Sequence, residues 1–118
     1  MEIFVKFDFA ASRRLTKLAK EHPCSRVHGH TFDVQIKVAG DVDSSTGFLV
    51  DFSEIEKSVA GVKTIVDHRY LNEIDGLENP TTEILSKWLW GHLQKVVPTL
   101  KEISVQEHYS RGVIYHGD

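Results

Sequence analysis

Cys24-Ser-Arg-Val-His28-Gly-His30 places a thiol and two imidazoles within seven residues. Side chains alternate along a strand with period two, so on an extended segment His28 and His30 point to the same face. Such a pair is suited to a first-row metal, most often zinc. The thiol upstream is then a candidate acid/base, nucleophile or further ligand. The competing reading is two surface histidines at a loop-to-strand junction and a buried structural cysteine. Spacing alone leaves the two level. Asp67-His68 and Glu107 are the other candidates. By itself the Asp67-His68 pair reads as solvated loop.

The elements that position these residues follow from periodicity. Residues 2–13 alternate, with Ile3, Val5, Phe7, Phe9 and Ala11 on one face. That predicts a half-buried strand, with Arg13 at the far end of its apolar stripe. Residues 14–27 read as a polar loop with one helical turn. A second strand is predicted over 28–39, where Phe32, Val34, Ile36 and Val38 share the face that His28 and His30 extend. Residues 40–47 carry turn chemistry. Ser53-Glu-Ile-Glu56 is a capping box and predicts a helix start, and Gly61 suggests a short helix. Residues 63–79 read as an irregular connection holding Asp67-His68. Asn79 as cap and Pro80 as first helical residue predict a second helix, with Ile84, Leu85, Trp88, Leu89 and Leu93 on its stripe and Pro98 ending it. Ile103, Val105 and Glu107 share a face of a third strand. After the turn Ser110-Arg111-Gly112, Val113 and Tyr115 belong to a fourth.

This order predicts an α+β fold: a four-stranded antiparallel sheet, with two helices inserted between strands two and three and packed on one face. Arg13, His28, His30 and Glu107 each end an otherwise apolar stripe. A carboxylate facing a core edge is costly unless it is paired or hydrogen-bonded. That makes Glu107 a candidate for either a binding role or a structural ion pair.

Composition sets bounds. At 118 residues the chain suits one domain spanning 1–118. With 41% hydrophobic and 26% charged residues it should fold as an ordinary globule, and its modest core leaves room for oligomerisation. The net charge of −3 and the lack of a Lys/Arg run argue against a nucleic-acid surface. One cysteine permits no internal disulfide and fits a cytoplasmic setting. No signal pattern or membrane-length apolar run is present. Seven histidines favour a metal or acid/base site.

Cys24-x3-His28-Gly-His30, Asp67-His68-x-Tyr-Leu-Asn72, Glu78-Asn-Pro-Thr-x-Glu83 and the late-strand Glu107 together resemble the 6-pyruvoyl-tetrahydropterin synthase superfamily. Within it they are most similar to the bacterial 6-carboxy-tetrahydropterin synthase branch of the queuosine pathway. The Asp43-to-Gly47 segment and the Gly76-Leu-Glu-Asn-Pro-Thr run favour that branch, and the resemblance covers essentially the whole chain. It implies a tunnelling fold, hexamers with active sites at subunit boundaries, and a lyase acting on 7,8-dihydroneopterin triphosphate. It implies that Cys24 is the general base, that His68 supported by Asp67 is a proton relay, and that Glu107 holds the pterin ring. It also implies that His28 and His30 are zinc ligands.

One position departs from the pattern. The family's third zinc ligand is a histidine on the first strand, and with Leu15 and Cys24 in register Arg13 stands there. Arginine has no lone pair to give a metal, and catalytic zinc usually has three protein ligands. Impaired or altered zinc binding is therefore expected. His22 or Cys24 could complete the site, Arg13 could replace the cation, or the chain could be a weakly metallated or inactive paralogue. The other function classes are a pterin-binding protein that has lost the metal and a metal-free dihydroneopterin aldolase or epimerase. Retention of Cys24, Asp67, His68 and Glu107 favours the enzyme.

Overall fold

The computed structural model describes residues 1–118. Two long strands, β1 (Glu2–Arg13) and β2 (His28–Ala39), form where the alternation predicts them. They pair antiparallel along their whole length, from Glu2↔Ala39 to Arg13↔His28. Helix α1 (Phe52–Val66) follows, then the two-residue strand β3 (Arg69–Tyr70), helix α2 (Thr82–Leu93) and the hairpin of β4 (Leu100–His108) and β5 (Arg111–Tyr115). The sheet order is β3-β1-β2-β4-β5.

The α+β plan holds, with two differences in the sheet. It has five strands, not four, and the additional one runs parallel to β1 through Ala11↔Arg69 and Ser12↔Tyr70. Two residues are too few to show a period, so β3 is invisible to patterning.

Both helices cover one face. Ile55, Val59, Val62 and Val66 of α1 and Leu85, Leu89 and Leu93 of α2 are buried against Phe9, Phe32, Val34, Ile36, Ile103 and Val105. Helix α1 starts two residues earlier than the capping box predicts. Its cap is Asp51, whose carboxylate accepts from the Ser53 N–H (2.9 Å) and hydroxyl (2.9 Å). The helix also runs through Gly61 to Val66, because Val62 and Val66 extend the buried stripe. Helix α2 is capped by Thr81, whose hydroxyl accepts from the Ile84 N–H (3.1 Å), and not by Asn79.

Asn79 is used elsewhere: its side-chain Oδ1 accepts from the Thr16 N–H (3.0 Å). Asn72 makes a similar clamp, accepting from the Arg14 N–H (2.8 Å) and donating to the Arg14 carbonyl (2.7 Å). These two amides fix the chain just past Arg13. Asn72→Ala is expected to cost about 1–2 kcal/mol through the lost bonds to Arg14. A urea titration against the parent protein checks this, and an unchanged midpoint would show that the clamp is idle.

Candidate active site

The β1–β2 register brings the stripe ends together. Arg13 faces His28, and Ala11 faces His30. The His28 and His30 rings meet edge-on with centroids 5.0 Å apart, and His30 meets Phe32 at 5.6 Å. The Arg13 guanidinium lies 5.2 Å from the Phe32 ring centre. The cluster thus starts where the core ends.

Glu107 joins it from β4. Gln106 pairs with Gly112 and His108 with Arg111, so Glu107 is the unpaired residue of a bulge. Bulges re-aim side chains. The tight return needs glycine at 112, where a Cβ would lie 2.6 Å from the Val105 carbonyl. Glu107 Oε2 accepts from Arg13 Nη2 and from the Thr82 hydroxyl (2.7 Å), and Oε1 accepts from Arg111 Nε (2.9 Å). Arg13 Nη1 also donates to the Pro80 carbonyl (3.2 Å) and to Thr82 Oγ1 (3.0 Å). The Arg13 side chain is 3% exposed and that of Glu107 is 17%.

Burial alone would raise the Glu107 pKa. The hydrogen bonds from Thr82, Arg111 and Arg13 outweigh it and hold the carboxyl at about 2. A depressed carboxyl pKa adds stability above its ordinary value of 4.5, and that stability is lost as pH falls toward about 2. Urea midpoints between pH 5 and pH 2 should therefore fall more steeply for the parent than for Glu107→Gln. Parallel curves would contradict the assignment.

His28 Nδ1 lies 2.8 Å from the Arg26 carbonyl, which can only accept, so in the neutral ring Nδ1 carries the hydrogen and Nε2 the lone pair. That Nε2 is buried and has no partner, and Arg13 Nε is in the same condition. The His30 pKa is lowered, first by burial and then by the positive charge of Arg13, with Glu107 opposing.

Asp67 and His68 form a clamp on β1. Asp67 Oδ1 accepts from the Ala10 N–H (3.0 Å), and the His68 N–H donates to the Ala10 carbonyl (2.6 Å). The Ala10 N–H is the main reason that the Asp67 pKa is lowered; burial opposes this and the His68 ring assists it. His68 takes a left-handed φ of 59°, and its Nδ1 lies 3.1 Å from Asp67. A non-glycine residue in that region marks a locally imposed geometry. The ring is 81% exposed and borders a groove also lined by Ser12, Gly29, His30 and Tyr70. A larger hollow on the outer sheet face, between Lys6, Asp33, Gln35 and Ser104, is lined by none of the candidate residues.

Cys24 sits in a 3₁₀ turn, Pro23–Ser25. Its carbonyl accepts from the Leu15 N–H (2.8 Å), and its N–H donates to His22 Nδ1 (3.1 Å). The thiol is free and partly exposed, in the loop adjoining the cluster.

The structure therefore gathers Arg13, His28, His30 and Glu107, with Asp67-His68 on the neighbouring edge and Cys24 in the loop. It adds Thr82 and Arg111, which patterning missed. Thr82 is the unread position inside Glu78-Asn-Pro-Thr-x-Glu83, and Arg111 lay in a predicted turn that proves to be strand. As for zinc, no three His, Cys, Asp or Glu side chains are placed to hold a metal ion together. Two imidazoles beside a buried guanidinium do not fit a three-ligand zinc centre.

The family model described as 6-pyruvoyl tetrahydropterin synthase matches residues 2–118. The chain belongs to the 6-pyruvoyl tetrahydropterin synthase family. It is 37% identical over 119 aligned positions to a 6-carboxy-5,6,7,8-tetrahydropterin synthase of Synechocystis, covering 96% of this chain and 91% of that one. It is 34% identical over 108 positions to a dihydroneopterin monophosphate aldolase of Pyrococcus furiosus, covering 89% and 91%. The solved 6-pyruvoyl tetrahydropterin synthase of Caenorhabditis elegans superposes with a TM-score of 0.92 at 23% identity, over 100% of this chain and 96% of that one. That last likeness shows that the fold is the one this synthase family uses. No helix is long and apolar enough to cross a membrane.

Proposed function

We propose that this chain is a lyase converting 7,8-dihydroneopterin triphosphate and water to 6-carboxy-5,6,7,8-tetrahydropterin, acetaldehyde and triphosphate, in the route to queuosine. The observation that carries this reading is the Glu107 carboxylate, held ionised at the end of the core beside two imidazoles. The similarity to the Synechocystis synthase along nearly the whole chain supports it.

In this reading Glu107 Oε1, held only by the exposed Arg111, accepts from the amino-pyrimidine edge of the pterin. Oε2 stays with Arg13 and Thr82 and fixes the carboxylate plane. Cys24 moves the side-chain proton, and His68, oriented by Asp67, completes the relay. The chain acts as one domain in a cytoplasmic homo-oligomer, a hexamer by family resemblance. The exposed β5 edge, with Ile114 65% exposed, suits sheet-to-sheet assembly.

A second reading, an aldolase acting on a dihydroneopterin phosphate, rests on the similarity to the Pyrococcus enzyme. Complementation separates the two. In a strain lacking its own 6-carboxy-tetrahydropterin synthase, expression of this chain is expected to restore queuosine in tRNA. No restoration from folded, expressed protein would overturn the synthase reading.

A further inference from the structure

We infer that Arg13 and His28 form a metal-independent hydroxyl site, in which a ligand hydroxyl accepts from Arg13 Nε–H and donates to His28 Nε2. The polyhydroxy side chain of a reduced pterin supplies that hydroxyl, a point that rests on the function proposed above.

Arg13 Nε and His28 Nε2 are the two buried side-chain polar atoms with no hydrogen-bond partner. Buried polar groups are nearly always paired, so two orphans in one cluster point to a ligand. They belong to residues opposite one another on β1 and β2. They are also complementary. Arg13 Nε–H can only donate. In the neutral imidazole His28 Nε2 can only accept, because the ring hydrogen is committed to the Arg26 carbonyl. A hydroxyl, which both accepts and donates, matches that pair of roles. A phosphate or carboxylate would satisfy Arg13 alone and set its lone pairs against that of Nε2.

The same cluster disfavours a divalent cation. Arg13 and Arg111 carry two fixed positive charges against the one negative charge of Glu107, and the Arg13 side chain is 3% exposed. Its two Nη groups are anchored to Pro80, Thr82 and Glu107, so the guanidinium is held in place. A metal seated on His28 and His30 would meet that charge and would lack a third ligand. The guanidinium thus provides the fixed positive charge that a metal would otherwise bring to the hydroxyl oxygen.

The test uses neopterin and 6-methylpterin as probes, which differ by the hydroxyl-bearing side chain. Binding is measured by calorimetry on the full chain dialysed against EDTA, with zinc content measured alongside. The parent is expected to hold little zinc and to prefer neopterin about ten-fold, one hydrogen-bonded hydroxyl's worth. Added zinc should leave that preference unchanged. His28→Ala should reduce it to near unity while 6-methylpterin still binds, and Arg13→Lys should reduce it likewise, any weakening common to both probes reporting on Glu107. Using two variants guards against misfolding of either one. Arg13→His should bind about one zinc per chain and make the preference zinc-dependent. Stoichiometric zinc that survives EDTA in the parent would overturn the inference. So would loss of the neopterin preference on chelation, or its absence in both conditions. Product formation from dihydroneopterin triphosphate is scored separately, so a zinc-loaded protein that turns over would refute this inference and leave the proposed function standing.

Discussion

Glu107→Ala is expected to abolish turnover and to destabilise the fold by about 3–5 kcal/mol, because it leaves a buried guanidinium without its counter-charge. Arg13 is 3% exposed and keeps only the Pro80 carbonyl and Thr82 hydroxyl once the carboxylate is gone. Thr82 loses its acceptor in the same step. Glu107→Gln should be milder in stability, since an amide oxygen still accepts from Arg13, yet as damaging to activity. The amide presents an N–H₂ where the carboxylate presented a second acceptor, so the pterin's donor edge meets a donor. Urea unfolding and product formation, measured on both variants, check the pair of effects. An alanine variant as stable as the parent would show that the ion pair contributes nothing. An active glutamine variant would remove Glu107 from the binding role.

Cys24→Ala is expected to lower kcat by about 10²–10⁴-fold, the usual range for a lost proton-transfer group. KM and the unfolding midpoint should stay near the parent values. The free thiol is partly exposed, and its turn is held by backbone bonds to Leu15 and His22. Cys24→Ser should recover little, because a hydroxyl is a much weaker acid than a thiol. A kcat within a few-fold of the parent would move the base elsewhere, with His68 as the next candidate.

The stripes on β1 and β2 were legible because twelve residues of strict alternation fix the register, and a one-residue slip would bury Lys6 and Asp33. The same alternation placed Arg13, His28 and His30 on one face. Glu107 was legible as a carboxylate at a core edge in need of a partner. That the partner is Arg13 required the bulge between Gln106 and His108, which has no periodic signature. Strand β3 was missed because it exists through the Asp67-His68 clamp on Ala10, a tertiary contact between residues 57 apart in sequence. The helix starts shifted because the Asp51 and Thr81 side chains, and not those of Ser53 and Asn79, accept from the first-turn N–H groups. Asn79 and Asn72 are instead drawn to the chain after Arg13. Thr82 and Arg111 reach Glu107 only in three dimensions.

The most direct test of the central claim is product analysis. Purified protein is incubated with 7,8-dihydroneopterin triphosphate, and the pterins are resolved by liquid chromatography and mass spectrometry. The account predicts 6-carboxy-5,6,7,8-tetrahydropterin with equimolar acetaldehyde and triphosphate, and loss of all three in Glu107→Gln. A hydroxymethyl-dihydropterin in its place, or unchanged substrate from folded protein, would contradict it.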